Sequence, residues 1–206
     1  MIIIINYGMG NLRNVEKALA SMNQQVKISD NIDDIKNSDA IILPGVGSFK
    51  SAMDNLRKLN LVDTIVSEIK SKKPFLGICL GRQVLFEKSE EGNTSGLGIL
   101  KGKVKRFKHS LKVPHMGWNT VRKKSRNNLF EDIPDESFFY FVHSYYVGPL
   151  DKSIIVGETE YGIKFASAIA GDNIYGVQFH PEKSQSVGLK LINNFIYACK
   201  KNNTMS

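Results

Sequence analysis

The sequence predicts a single α/β domain over residues 1–206, a central, mostly parallel sheet flanked by helices, with an antiparallel-rich second half. Three observations carry this expectation. In the first half, short and wholly apolar runs alternate with segments of helical period, as parallel strands covered on both faces do. After Gly96 the helical period gives way to short runs separated by turn residues. The chain has 206 residues, 42% apolar and 23% charged, enough for one substantial core, and no repeat or low-complexity linker divides it.

Met1–Tyr7 reads as the first strand. Its Ile2-Ile3-Ile4-Ile5 run is far too short to span a bilayer and lacks the basic leader and cleavage site of a secretory signal. Gly8-Met9-Gly10-Asn11 breaks the strand. Leu12, Val15, Leu19 and Met22 then recur at helical spacing over Asn11–Met22. Gln25–Ile28 is a short strand, Ile32–Ile35 a helical turn, and Ala40–Leu43 a strand stopped by Pro44-Gly45-Val46-Gly47. Phe49–Lys72 reads as mostly helix, with Ala52, Met53, Leu56, Leu61, Ile65 and Ile69 apolar. Pro74–Ile78 is a buried strand, and Gly81–Glu87 begins a helix. Gly96–Phe107, Trp118–Val121, Phe138–Val147, Ile154–Thr159, Phe165–Ala170 and Ile174–Phe179 read as strands, the last two parted by Gly171-Asp172-Asn173. Val187–Lys201 closes as a helix with Leu189, Ile192, Phe195, Ile196 and Cys199 on one side.

Two cysteines, Cys79 and Cys199, make no disulfide framework, which points to a reducing cytoplasm. The net charge of +8 comes from scattered lysines, with modest clusters at Lys101–Lys108 and Arg122–Arg126. No basic helix carries interleaved aromatics, so neither a nucleic acid nor a membrane is the expected partner. A lysine-rich surface is the simpler reading, then a basic edge facing an acidic protein or a phosphorylated metabolite.

The sharpest chemical signal is Gly77-Ile78-Cys79-Leu80-Gly81, a buried strand running through a cysteine into a helix. This is the thiol form of a strand–nucleophile–helix elbow. Glycines beside the nucleophile let a strained turn close, and N–H groups of the following helix favour the reactive thiolate. A small buried cysteine packed beside glycines is the competing reading, and it is preferred for Cys199. A cysteine nucleophile needs a base and an orienting group. Of the four histidines, His180 stands out, because it follows an apolar strand and opens His180-Pro181-Glu182. Extended geometry would project Glu182 to the same side as His180. His115 and His143 suit structural roles in a turn and a strand, and His109 is expected to be solvated. The tetrahedral oxyanion of amide hydrolysis needs preorganised N–H donors. Val46 and Gly47 of the glycine-rich turn, with the N–H of Leu80, are the candidate oxyanion hole. No Gly-Lys-Ser/Thr follows that turn, so it is not a phosphate-binding loop.

In this order, Pro44–Gly47, Gly77–Gln83 and His180–Glu182 resemble the class I glutamine amidotransferases over nearly the whole chain. Finer features resemble one branch, the glutaminase subunits of imidazole glycerol phosphate synthase: Tyr7–Leu12, Pro114-His115-Met116-Gly117-Trp118-Asn119, Phe141–Tyr146 and Lys183-Ser184-Gln185. The resemblance implies a class I glutaminase-like fold and hydrolysis of L-glutamine through a Cys79–His180–Glu182 triad. Gln83, Ser144 and Tyr145 would hold the substrate. Asn11, Trp118, Asn119 and Lys183 would face a (β/α)8-barrel cyclase in a heterodimer, which receives the ammonia. No cofactor and no metal are implied. Two positions depart from the branch. Arg82 replaces an apolar residue; its cation could lower the pKa of the neighbouring thiol or snorkel outward to no effect, and the second reading is preferred. Asn6 stands where aspartate is common. A paralogue feeding ammonia to a barrel partner in surface-sugar synthesis would carry the same motifs, and a non-catalytic regulatory homologue is the third reading.

Overall fold

The computed structural model describes residues 1–203, with side chains through Lys200. The first half is built of β1 (Ile2–Ile5), α1 (Leu12–Ala20), β2 (Val26–Ser29), α2 (Ile32–Lys36), β3 (Ala40–Gly45), α3 (Phe49–Lys58), α4 (Val62–Lys70), β4 (Phe75–Cys79) and α5 (Leu80–Gln83). Its strands are parallel, in the order β2-β1-β3-β4. β1, β3 and β4 are buried at every residue. The reason for an unbroken isoleucine run is pleating: Ile2 and Ile4 join one core and Ile3 and Ile5 the other, because successive side chains point to opposite faces.

Two helical expectations are revised. Phe49–Lys72 is two helices, because Asn60 turns the chain at φ 56°, a conformation asparagine tolerates better than most residues. The helix after the elbow has only four residues, and Phe86 re-enters the sheet instead of continuing it.

The second half supplies β5 (Phe86–Ser89), β6 (Thr94–Ser95), β7 (Leu100–Arg106), β8 (His115–Lys123), β9 (Ser137–His143), β10 (Tyr145–Pro149), β11 (Ile155–Tyr161), β12 (Ile163–Gly171), β13 (Ile174–Val177) and α6 (Gln185–Asn203). The full order is β2-β1-β3-β4-β13-β12-β10-β7-β5-β6, and β11, β8 and β9 extend as an antiparallel arm from β12. β13 is the seam, parallel to β4 on one edge and antiparallel to β12 on the other. The run expected as one strand over Phe138–Val147 breaks at Ser144. β9 pairs with β8 in the arm, whereas β10 pairs with β7 and β12 in the main sheet. On α6, Ile192, Phe195, Ile196 and Cys199 are buried as expected, but Leu191 takes the inward place assigned to Leu189, which is exposed. Among the described residues no helix is long and apolar enough to cross a membrane.

Candidate active site

In β4 and β13, Ile78 lies level with Val177, so the residues leaving both carboxyl ends emerge side by side. Open α/β sheets form their binding crevices at such ends. Cys79 leaves β4 at φ 54° and ψ −110°. A non-glycine residue held there costs of order 1–3 kcal/mol and persists only when its surroundings fix it. They do so through missing side chains. A Cβ on Gly77 would lie 2.7 Å from Arg82 Cα, and one on Gly45 2.8 Å from Leu80 Cβ. One on Gly81 would lie 1.7 Å from the Leu43 carbonyl oxygen. The turn can close only without them.

Cys79 Sγ is buried, 3.9 Å from the Val142 carbonyl, and accepts a hydrogen bond from Gln178 Nε2 at 3.5 Å. His180 leaves β13 in extended geometry, and its Nδ1 meets Glu182 Oε1 at 2.8 Å. A 3-10 turn over Pro181–Lys183, rather than the alternation of an extended segment, brings the carboxylate back onto the ring. Both side chains are almost fully buried. With Nδ1–H donated to Glu182, His180 Nε2 is the nitrogen left for the sulfur, and it is buried with no closed hydrogen bond. Burial pulls the imidazole down. The Cys79 sulfur beside it and then the Glu182 carboxylate override that, raising it to about 10.

Val46, Gly47, Cys79, Leu80, Gln83, Ser144 and Tyr145 all line one cleft of about 230 Å³. Gly47 turns at φ 99°, and no backbone hydrogen bond occupies the N–H of Val46 or Gly47. Gln83 Nε2 donates to the Tyr145 carbonyl and to Gln178 Oε1, both at 3.1 Å. With both amide hydrogens committed, Oε1 is the Gln83 atom available to a ligand. The sequence reading missed Glu91, which lines the cleft while its Oε2 accepts from Phe49 N–H at 2.6 Å. A carboxylate there suits the ammonium of an amino acid. It lies in a polar loop without a motif, so nothing local marked it.

His143, also in the cleft wall, donates from Nδ1 to the Tyr145 carbonyl at 2.8 Å. Its Nε2 must therefore accept, so His115 donates from Nδ1 across 2.9 Å. Burial keeps His143 well below the usual imidazole range and lowers His115 to about 4, so both rings are neutral links. Asn119 completes the chain, giving Nδ2 to His115 Nε2 at 3.2 Å and to the Glu160 carbonyl at 3.0 Å. Its amide is tied up within the chain, unlike Trp118. Trp118 is 47% exposed and packs edge-on to Tyr140, and Lys183 Nζ sits 5.8 Å above the Tyr140 ring. Met116 and Phe138 share that face and are exposed. Asn11 is half-buried at the start of α1 and makes no side-chain cap.

Two expectations are overturned. Arg82 does not snorkel outward but is fully buried. Its stem passes over Gly176, where a Cβ would lie 2.5 Å from Arg82 Cγ, and its head reaches the Ala166 carbonyl and Gln178 Oε1. His109 is not solvated. Its ring packs against Phe107 and Tyr161, and both nitrogens are buried.

The family model described as "Glutamine amidotransferase class-I" matches residues 3–199. Proteins named imidazole glycerol phosphate synthase subunit HisH are close relatives. That of Methanocaldococcus jannaschii is 52% identical over 197 residues, 95% of this chain and 98% of the relative. That of Desulfitobacterium hafniense is 50% identical over 196 residues, 95% and 93% of the two chains. A crystal structure titled glutamine amidotransferase superposes with a TM-score of 0.77 at 16% identity, covering 97% of this chain and all of that one (100%), a likeness of fold.

Proposed function

The chain belongs to the class I glutamine amidotransferases, and we propose that it is the glutaminase subunit of an imidazole glycerol phosphate synthase in histidine biosynthesis. On this reading Cys79 is the nucleophile, His180 the acid and base, and Glu182 the group that orients His180. The observation that carries the reading is the His180–Glu182 pair, buried at 2.8 Å, with the Cys79 sulfur close enough to raise the imidazole.

The chemistry follows from those positions. The Cys79 sulfur adds to the side-chain amide carbon of L-glutamine, and the new oxyanion meets N–H donors from Val46, Gly47 and Leu80. Collapse breaks the C–N bond. The His180 imidazolium, which its raised pKa keeps charged at neutral pH, gives its proton to the departing nitrogen. Neutral His180 then takes a proton from water as its oxygen attacks the γ-glutamyl thioester. Glutamate leaves, and the charged ring is restored. Gln83 Oε1, Ser144 and Tyr145 hold the amino acid end.

The ammonia passes to a (β/α)8-barrel cyclase docked on the Trp118 face, with Asn11 and Lys183 at the contact. There it supports formation of imidazole glycerol phosphate and aminoimidazole carboxamide ribonucleotide. The high identity to synthase subunits over nearly their full length supports this assignment. The test mixes the purified chain with the cyclase subunit of an imidazole glycerol phosphate synthase and measures glutamate release. Hydrolysis is expected to be slow alone and faster in the complex with its nucleotide substrate, and Cys79→Ala is expected to abolish it while the complex still forms. Equal rates with and without partner, or hydrolysis surviving in Cys79→Ala, refute the proposal.

A further inference from the structure

Among the described residues, the buried cation three positions after Cys79 has no carboxylate partner. Arg82 is 0% exposed, and its guanidinium donates to two neutral oxygens, the Ala166 carbonyl at 2.9 Å and Gln178 Oε1 at 2.5 Å, while its Nε has no partner. Burying an arginine without an anion is costly. The neighbouring group that partly offsets the downward pull of burial on it is the Cys79 sulfur.

Gln178 stands between the two. Its Oε1 accepts from Arg82 Nη2 and from Gln83 Nε2, which is itself held as a donor by the Tyr145 carbonyl. An amide with its oxygen gripped by two donors cannot flip, because a flip would set N–H against N–H. Its Nε2 is thereby aimed at Cys79 Sγ, 3.5 Å away. A glutamine oxygen there would repel a thiolate, whereas an N–H stabilises it. The space for this arrangement comes from Gly176, on β13, the strand that Gln178 follows.

We propose that Arg82 is a positioning residue for the nucleophile: it clamps Gln178 so that a side-chain N–H and a buried positive charge face the Cys79 sulfur. His180 is then not alone in holding the reactive sulfur anion. The inference rests on Cys79 being the reactive sulfur of the proposed function, but its test reads sulfur reactivity directly and does not need glutamine.

The measurement is the rate of Cys79 alkylation by iodoacetamide at neutral pH in the full-length chain, with the modified site located by mass spectrometry. Urea unfolding is followed in parallel. Arg82→Met removes an unpaired buried cation and should not lower the unfolding midpoint. It should slow alkylation roughly 10- to 100-fold, as expected for losing a hydrogen bond to a charged group. Arg82→Lys, which keeps the charge, should recover part of the rate. Gln178→Glu keeps a partner for Arg82 but replaces the N–H with a second anion, and should slow alkylation at least as much in a folded chain. In the complex, Arg82→Met should lower kcat for glutamine hydrolysis with KM changed less than twofold. Wild-type alkylation rates in both Arg82→Met and Gln178→Glu overturn the inference even if glutaminase activity is present. Loss of glutaminase activity in Arg82→Met with an unchanged alkylation rate also overturns it.

Discussion

Gly81 tests whether the elbow is held closed by steric exclusion. Its φ is ordinary for any residue, so replacing it with alanine adds no conformational strain, only one methyl group. That methyl would lie 1.7 Å from the Leu43 carbonyl oxygen and 2.7 Å from the Leu43 carbonyl carbon, both backbone atoms of β3. Reaching an ordinary contact near 3.4 Å requires α5 and β3 to separate by about 1.7 Å. Leu43 is fully buried and level with Gly77 of β4, so this displacement cannot be absorbed at the surface. Overpacking by a single methylene typically costs about 1–3 kcal/mol, and a clash with backbone falls at or above the top of that range. Gly117→Ala is the matched control. Its Cβ would meet nothing within 4 Å, but φ is 128°, so only backbone strain is added. That strain costs about 1–3 kcal/mol. Urea unfolding should therefore place Gly81→Ala below Gly117→Ala, and only Gly81→Ala should lose iodoacetamide reactivity at Cys79. A Gly81→Ala protein within 1 kcal/mol of wild type that still alkylates normally refutes the closure argument.

His180 makes stability depend on pH. Its folded pKa of about 10 lies above the unfolded value of 6.5, so between these values the folded state binds more protons. Its contribution is complete below pH 6.5 and is lost as pH rises towards 10. The urea midpoint should decline mainly above about pH 8.5, because at lower pH the unfolded Cys79 thiol still holds a proton that matches the one gained by the folded His180 ring. Cys79→Ala, which removes the larger of the two raising influences, should flatten the decline more than Glu182→Gln, and an unchanged slope in both sinks the assignment. Trp118→Ala should weaken binding of the synthase subunit at least tenfold, as for an exposed aromatic anchor, with little change in the unfolding midpoint because the ring is half in solvent. A binding isotherm identical to wild type removes Trp118 from the contact.

What was legible in the sequence was whatever a short window encodes. Four isoleucines in a row state that both faces of β1 are covered. Gly-x-Cys-x-Gly states a closed turn, although its two outer glycines answer to Arg82 and Leu43, atoms a local reading does not see. The His180–Glu182 pair was legible as a spacing, but the reason given was wrong, since a 3-10 turn and not strand alternation joins them. The misses share one cause. Whether Arg82 faces in or out depends on Gly176, distant in the chain and brought beside it only by β4–β13 pairing. His109, in the loop after β7, is covered by Tyr161 of β11, and Glu91 reaches the cleft only because its loop caps α3. Residues decided by long-range pairing cannot be assigned from local pattern.

The seam position of β13 also bears on how a partner could control the site. Cys79, Gln178 and His180 all leave two adjacent strands whose residues are buried on both sides, so moving one relative to another would disrupt a packed sheet. Under the proposed function the triad is therefore a poor switch. The Val46–Gly47 turn is different, because Val46 is 39% exposed and the turn's N–H groups are free. Ser144 and Tyr145 sit where β9 leaves the arm and β10 enters the main sheet, within two residues of the His143 link that leads through His115 to Asn119 beside Trp118. A protein docked on the Trp118 face thus has a short hydrogen-bonded route to the Ser144–Tyr145 wall of the cleft that the Val46–Gly47 turn also lines. Under the proposed function, partner binding should raise kcat by completing the oxyanion hole while leaving the intrinsic alkylation rate of Cys79 nearly unchanged. A large partner-induced change in that rate would place the switch in the triad instead.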